Sequence, residues 1–175
     1  QRVLHATGAA RVDLVGHSQG GMMPRYYIKF LGGAAYVHDL VGLSPSNHGT
    51  TIPLAPPLGQ YADCISCTEQ VAGSAFLANL NAGDQTPAPV NYTVIETSHD
   101  EIVTPYQSAF LPAEDGRVTN VLLQKDCPAD PSEHITITDD PIAIQWVLDA
   151  LASSGPANPS FKPDCTWLAG LRAAL

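Results

Sequence analysis

The apolar residues of this chain fall into short runs and stripes whose period changes along its length. Residues 11–16, Arg-Val-Asp-Leu-Val-Gly, form a brief and largely apolar run bounded by Gly8 and Gly16, the pattern of a buried strand. Over 22–31 the spacing becomes helical: Met23, Tyr27, Phe30 and Leu31 recur on one face, Pro24 suits the first turn, and Gly32-Gly33 supplies the stop. Further strands are predicted at 39–43, 92–96 and 118–123. A helix is predicted over 68–80 from Val71, Phe76, Leu77 and Leu80. Another is predicted over 142–151, where Asp140 suits the N-cap, Pro141 the first position, and Ile144, Val147, Leu148 and Leu151 the apolar stripe. Strands alternating with helices predict an α/β fold, a mostly parallel sheet flanked by helices.

Two segments break this alternation. Residues 45–91 contain Pro53, Pro56, Pro57, Pro87 and Pro89, and so long an insert reads either as a cap or lid or as an irregular connection. After residue 151, Ser153-Ser154-Gly155-Pro156 opens a Pro-containing tail. At 175 residues, with 45% hydrophobic and 14% charged, the chain is long and apolar enough for one globular domain and unlike a disordered segment. Seventeen acidic residues against eight basic ones give a net charge of -9 with no basic window, which argues against a nucleic-acid partner, since phosphate binding needs a positive footprint. No apolar run approaches the roughly 18–20 residues of a membrane span, and the N-terminus does not have the form of a signal peptide.

Gly16-His17-Ser18-Gln19-Gly20 matches G-x-S-x-G. Its context says more than its letters, because it lies between a predicted strand and a predicted helix, the strand-turn-helix setting in which a nucleophilic serine is thrust above a sheet. A turn that tight holds Ser18 in a strained conformation and is expected to leave no room for side chains at 16 and 20. The helix that follows would aim its N-terminus at the site, with the Gln19 amide as an oxyanion donor.

A serine hydroxyl needs a base, and the base needs an acid to hold its tautomer. Of six histidines, His5, His38 and His99 have no natural route to Ser18, and His17 is its neighbour on the turn. His134, in the loop between the last strand and the last helix, sits where a parallel sheet presents side chains at its carboxyl edge, and is the favoured base. His48, after the second strand, is its rival. The acid is expected at a strand end between 18 and 134; Asp100 is the favoured choice, with Glu101 and Glu96 as fallbacks. His17, His48 and Leu54 are candidate substrate-binding residues.

Four cysteines stand at 64, 67, 127 and 165. Cys64-x-x-Cys67 follows a Pro-rich loop, unlike a redox motif that opens a helix after a strand, and the second pair lacks zinc-site spacing. Two structural disulfides, Cys64–Cys67 and Cys127–Cys165, are therefore expected over free thiols or a metal, and they imply an oxidising compartment.

Gly16-His17-Ser18-Gln19-Gly20-Gly21, Ser98-His99-Asp100-Glu101-Ile102-Val103, Ser44-Pro45-Ser46-Asn47-His48-Gly49-Thr50, and Cys127 followed by His134 resemble the secreted microbial lipases of the α/β-hydrolase superfamily, the actinobacterial triacylglycerol lipases in particular. The resemblance implies Ser18 as nucleophile, His134 as general base and acid, Asp100 as the third member, an acyl-enzyme intermediate, and neither metal nor cofactor. It implies an ester or lipid substrate, met at a lipid-water interface, and a secreted enzyme. Such lipases carry several strands and a loop with a second oxyanion donor ahead of the serine, whereas eleven residues precede Val12 here. The expectation is a partial domain, 1–175, cut through a helix at Gln1. Alone it should be unstable and weakly active, since one lost oxyanion donor costs about 10²–10³ in rate.

Ile52, Leu54, Leu58 and Ile65 in the insert would wall an acyl pocket above Ser18, or cover the core instead. A short-chain carboxylesterase is the near alternative. From other classes come a catalytically silent binding module of the same fold, and a redox protein acting through Cys64 and Cys67.

Overall fold

The computed structural model of the chain describes residues 1–52 and 64–166. Strands β1 (Val12–His17), β2 (Val37–Leu43), β3 (Asn91–Glu96) and β4 (Val118–Leu122) lie side by side in chain order, all parallel. Parallel neighbours require crossover connections. Helix α1 (Arg2–Thr7) precedes β1; α2 (Gln19–Met22) and α3 (Pro24–Phe30) join β1 to β2; α4 (Ile65–Glu69) and α5 (Ala75–Asn81) lie between β2 and β3; α6 (Leu123–Asp126) and α7 (Pro141–Ala152) follow β4. The predicted strands and the α/β class are those observed.

Both faces of β2, β3 and β4 are largely covered, which is why these strands read as apolar runs. Strand β1, expected to be buried, stands at one end of the strand order with no buried residue, and its Val15 is exposed. Leu40, Tyr92, Val94 and Val118 pack with Ile28 of α3 on one face. Val41, Leu43, Ile95 and Val121 pack beneath Ile142, Ala143, Trp146 and Ala150 of α7 on the other. The register carries straight across: His17 pairs with Leu43, Leu43 with Ile95, and Ile95 with Val121. The four strands therefore end together, and the turns after them open on a single edge.

Three helices depart from the sequence expectation. The helix after Ser18 starts at Gln19 rather than 22 and is interrupted ahead of Pro24, which has no N–H to continue the ladder. The stretch predicted as one helix over 68–80 is two: Gly73 sits at φ +82°, Val71 pairs with Thr50, and Ser74 then caps α5 by accepting from the Leu77 amide. Asp140 caps α7 as expected, accepting from the Ile142 and Ala143 amides, but the helix faces the other way. Ile144, Leu148 and Leu151 are exposed, and the buried face is Ile142, Ala143, Trp146 and Ala150. The two alanines bring the helix close to the sheet, and Trp146 fills the space between them, edge-on to Phe161 of the tail.

The cysteines are paired Cys64–Cys67 and Cys127–Cys165. The second bond ties the tail back to the end of α6. Thr93 Oγ1 accepts from the Ala157 amide, and Thr119 Oγ1 donates to the Ala157 carbonyl, fixing the tail onto β3 and β4.

Candidate active site

Ser18 is the N-cap of α2 and sits at φ 55°, ψ -124°, a conformation that costs a non-glycine residue on the order of 1–3 kcal/mol. The surrounding structure holds it there. The Ser18 amide donates to the Leu43 carbonyl at the end of β2, and the Ser18 carbonyl accepts from the amides of Gly21 and Met22. Of the motif's glycines, Gly16 is the crowded one: a Cβ there would lie 2.0 Å from the Gly20 carbonyl oxygen. At Gly20, expected to be equally tight, a Cβ would meet nothing within 4 Å. The second close approach belongs to Gly21, whose Cβ would press on Pro45 and on the backbone of Gly16 and Gly42, because this helix lies directly against β2.

His134 and Asp100 reach the same edge from different strands. His134 Nε2 lies 3.0 Å from Ser18 Oγ, and its Nδ1 lies 2.8 Å from Asp100 Oδ2. Both side chains are buried. The other Asp100 oxygen, Oδ1, accepts from the amides of Ile102 at 2.9 Å and Val103 at 2.7 Å, so the turn after Asp100 fixes the carboxylate before His134 is considered. Burial by itself raises the Asp100 pKa. The hydrogen bond to His134 and the two amides outweigh burial and bring it below the ordinary aspartate value.

The loop that presents His134 is built from local bonds. Asp130 Oδ1 accepts from the Ser132 amide and hydroxyl, Thr97 Oγ1 donates to the Ser132 carbonyl, and Glu133 accepts from the Ile135 and Thr136 amides. Those last contacts, led by the Ile135 amide, hold the exposed Glu133 carboxyl down to about 2. Gln19 is the first residue of α2, so its amide has no acceptor within the helix and is free for an oxyanion.

The other nominated residues are placed differently. His17, expected to face substrate, instead turns to His134: its Nε2–H donates to the His134 carbonyl oxygen at 2.7 Å, and the two rings are 4.8 Å apart. Burial, together with the neighbouring His134, lowers the His17 pKa; the bond to the His134 carbonyl opposes this. His48 has both ring nitrogens engaged, Nδ1 with the Ser108 carbonyl and Nε2 with the Gln85 side chain, each at 2.9 Å. It links the insert to the turn after Pro105 and is not free to serve Ser18 or substrate. Leu54 and Leu58 lie outside the described residues.

Glu101 is exposed, whereas Glu96 is fully buried at the end of β3, with Ser44 Oγ donating to it at 3.0 Å. Ser44 entered the sequence reading only as part of the 44–50 stretch, and Arg25 carried no sequence signal. Arg25 of α3 is buried and donates to Asn47, Asn81 and the Gln85 carbonyl, stitching the serine-bearing segment to the insert. At the start of the strands, away from Ser18, Asp13, His38 and Asp39 bring ligand atoms within 4.8 Å of one another. His38 Nδ1 there lies 2.8 Å from Asp39 and 3.2 Å from Asp13, and bonds to Asp13.

Comparison with known proteins agrees with this picture. Residues 1–147 match the family described as Lipase (class 2). The chain is similar to lipase B of Aspergillus fumigatus, at a TM-score of 0.73 and 28% identity over 86% of this chain and 39% of that one. It is also similar to an α/β hydrolase enzyme from the metagenome of sediments of the lagoon of Mar Chica, Morocco, at a TM-score of 0.50 and 18% identity over 84% of this chain and 63% of that one. The chain thus spans 39% of the length of the first of these structures and 63% of the second. The parallel sheet with its flanking helices is part of an α/β-hydrolase fold.

Proposed function

This chain belongs to the class 2 lipase family, and we propose that it carries the catalytic residues of a serine hydrolase that cleaves carboxylic esters, acylglycerols above all, through an acyl-enzyme on Ser18. The observation that carries this reading is the line Ser18 Oγ, His134, Asp100, with separations of 3.0 and 2.8 Å. Those are the distances at which a base accepts a hydroxyl proton while its far nitrogen donates to a carboxylate.

In this reading His134 Nε2 takes the Ser18 proton as Oγ attacks the ester carbonyl carbon. The carbonyl oxygen gathers charge and is met by the Gln19 amide. His134 then gives its proton to the departing alkoxide as the tetrahedral intermediate collapses to the acyl-enzyme. Water attacks the acyl-enzyme in turn, giving one proton to His134, which returns it to Ser18 Oγ as the second tetrahedral intermediate collapses and releases the carboxylic acid. Asp100 stays ionised throughout, keeps the proton on Nδ1 of the neutral ring, and stabilises the imidazolium that forms.

An apolar substrate is favoured by the side chains that flank this line. Ile135, next to His134, is 61% exposed, and Ile102, two residues beyond Asp100, is 37% exposed. Isoleucines at such positions suit an acyl chain or a lipid-water interface. We read residues 45–91, of which 53–63 lie outside the described residues, as a cap-like insert, and residues 1–175 as a single, partial domain. The two disulfides suit an oxidising compartment, and we infer secretion from them; no helix among the described residues is long and apolar enough to cross a membrane.

A fluorophosphonate probe should label Ser18 in the natural protein and fail with Ser18→Ala; absence of labelling in the wild type overturns the reading. Activity that rises when a triacylglycerol passes its solubility limit supports a lipase. Activity confined to soluble short esters assigns the site to a carboxylesterase.

A further inference from the structure

A second carboxyl group lies beside the candidate triad and takes no part in the mechanism above. Glu96, the last residue of β3, is fully buried. Its Oε1 accepts from the Thr97 amide at 2.8 Å and from Ser44 Oγ at 3.0 Å, while its Oε2 is buried with no donor. Asp100 has the opposite supply: Ile102 and Val103 donate to Oδ1, and His134 donates to Oδ2.

Two neighbouring carboxyl groups out of reach of water do not both ionise. Asp100, with three donors, holds the charge, so the proton falls to Glu96. Burial first, and the Asp100 charge second, push Glu96 up to about 9. Protonation also resolves the orphaned oxygen: Oε2 ceases to be an acceptor without a donor and becomes an O–H directed at Asp100.

The other elements around Glu96 contribute no competing charge at these contacts. From β2 comes the Ser44 hydroxyl, on a residue held at φ +43°, and from the turn after β3 come the Thr97 amide and Asp100. Gln124 of α6 bonds to the Ser98 amide and to Thr97 Oγ1 instead. His134, from the loop ahead of α7, is bonded to Asp100.

We propose that Glu96 is a positioning residue: held as a neutral acid, it donates Oε2–H to Asp100 and so fixes the carboxylate that orients His134. The proposal rests on the triad reading. The Glu96 O–H adds a fourth donor to the three that already hold the Asp100 carboxylate facing His134. Once Glu96 ionises, that hydrogen bond is replaced by repulsion between two buried anions, and Asp100 is driven off His134.

The test compares Glu96→Gln and Glu96→Leu with the wild type in the full-length natural protein. The Gln variant keeps a neutral N–H donor. It should hold kcat within about twofold at neutral pH and lack the decline of kcat expected of the wild type as pH rises through about 9. The Leu variant removes the donor and should lower kcat roughly tenfold or more with KM little changed, the loss expected for a hydrogen bond to a charged group. In the infrared, a protonated-carboxyl band present at neutral pH should be missing from the Gln variant and should titrate away in the wild type near the same pH. The infrared arm holds even if the Leu variant fails to fold.

A Gln variant that keeps the wild-type alkaline decline, a natively melting Leu variant with wild-type kcat, or an infrared difference spectrum without that band overturns the proposal. Fluorophosphonate labelling separates this from failure of the triad. If Ser18 of the wild type does not label, the triad reading falls; if it labels normally while the Glu96 results are negative, only the positioning role falls.

Discussion

His17 Nε2–H donates to the backbone carbonyl of His134 across 2.7 Å, so the residue before Ser18 holds the main chain of the residue that faces Ser18. Two segments 117 residues apart are locked together by this bond at the point where Ser18 and His134 must meet. Losing it leaves a partly buried carbonyl without a donor and lets the His134 loop shift, which costs about 1–2 kcal/mol. His17→Phe should therefore lower kcat on a soluble ester by roughly five- to thirtyfold with a smaller change in KM. His17→Gln, which restores an N–H donor, should recover most of that loss. Steady-state kinetics of the two variants provide the check.

The two outer glycines of the motif should respond very differently to the same change. Gly16→Ala places a methyl group 2.0 Å from the Gly20 carbonyl oxygen, with backbone and no flexible side chain to give way, so the turn must open and Ser18 must move. Gly20→Ala meets nothing within 4 Å and should leave melting temperature and fluorophosphonate labelling close to wild type. Gly16→Ala should abolish labelling and destabilise by several kcal/mol, on the order seen for overpacking against fixed backbone. Equal tolerance at both positions would contradict the turn geometry.

Asp100 sets an acid-side dependence whose sign follows from its environment. Its folded-state pKa lies below the ordinary value despite burial, so its contribution to stability is fully present above the ordinary aspartate range and is lost as pH falls through the folded value. Asp100→Asn should lack that increment. Its urea midpoint should fall less than that of the wild type as pH is lowered below the ordinary aspartate range. At neutral pH the same variant should lose about 10⁴ in kcat, because an amide at that position favours the wrong imidazole tautomer.

The two disulfides should be unequal in stability. Cys127–Cys165 closes a separation of 38 residues that includes His134 and α7, whereas Cys64–Cys67 closes only 3. Chain entropy alone gives about 4 kcal/mol for the first loop and less than half of that for the second. Replacing both Cys127 and Cys165 by Ser should produce the larger drop in thermal midpoint. It should also expose the His134 loop to proteolysis, measured against the Cys64/Cys67 double variant.

Much of the fold was legible because buried parallel strands must be apolar on both faces, so short Val- and Leu-rich runs announced β2, β3 and β4, while β1, which has no buried residue, was announced by its apolar run between Gly8 and Gly16. The helices were harder to read. The α7 stripe of Ile144, Leu148 and Leu151 carries large aliphatic side chains where the true buried face carries two alanines, yet Ala143 and Ala150 are the residues small enough to let the helix settle on the sheet. The stretch over 68–80 kept a helical period across Gly73, whose left-handed conformation ends any helix there. At the site, chain order and strand ends favoured Ser18, Asp100 and His134, with His48 after the second strand as the rival base. The hydrogen bonds of His48 to Ser108 and Gln85 are contacts that no local pattern reveals.

From its sequence alone this chain was determined as an acidic α/β chain with a serine on a strand-to-helix turn, because periodicity, glycine placement and charge balance are local properties. Tertiary structure decided which histidine meets that serine, that His17 binds the backbone carbonyl of His134, that Gly21 rather than Gly20 packs on β2, and that Glu96 lies buried beside Asp100. Each of these depends on how four strands end in register and bring together residues as much as 117 positions apart. Burial and distance at such an edge are set by packing of the whole sheet, and no single segment encodes them.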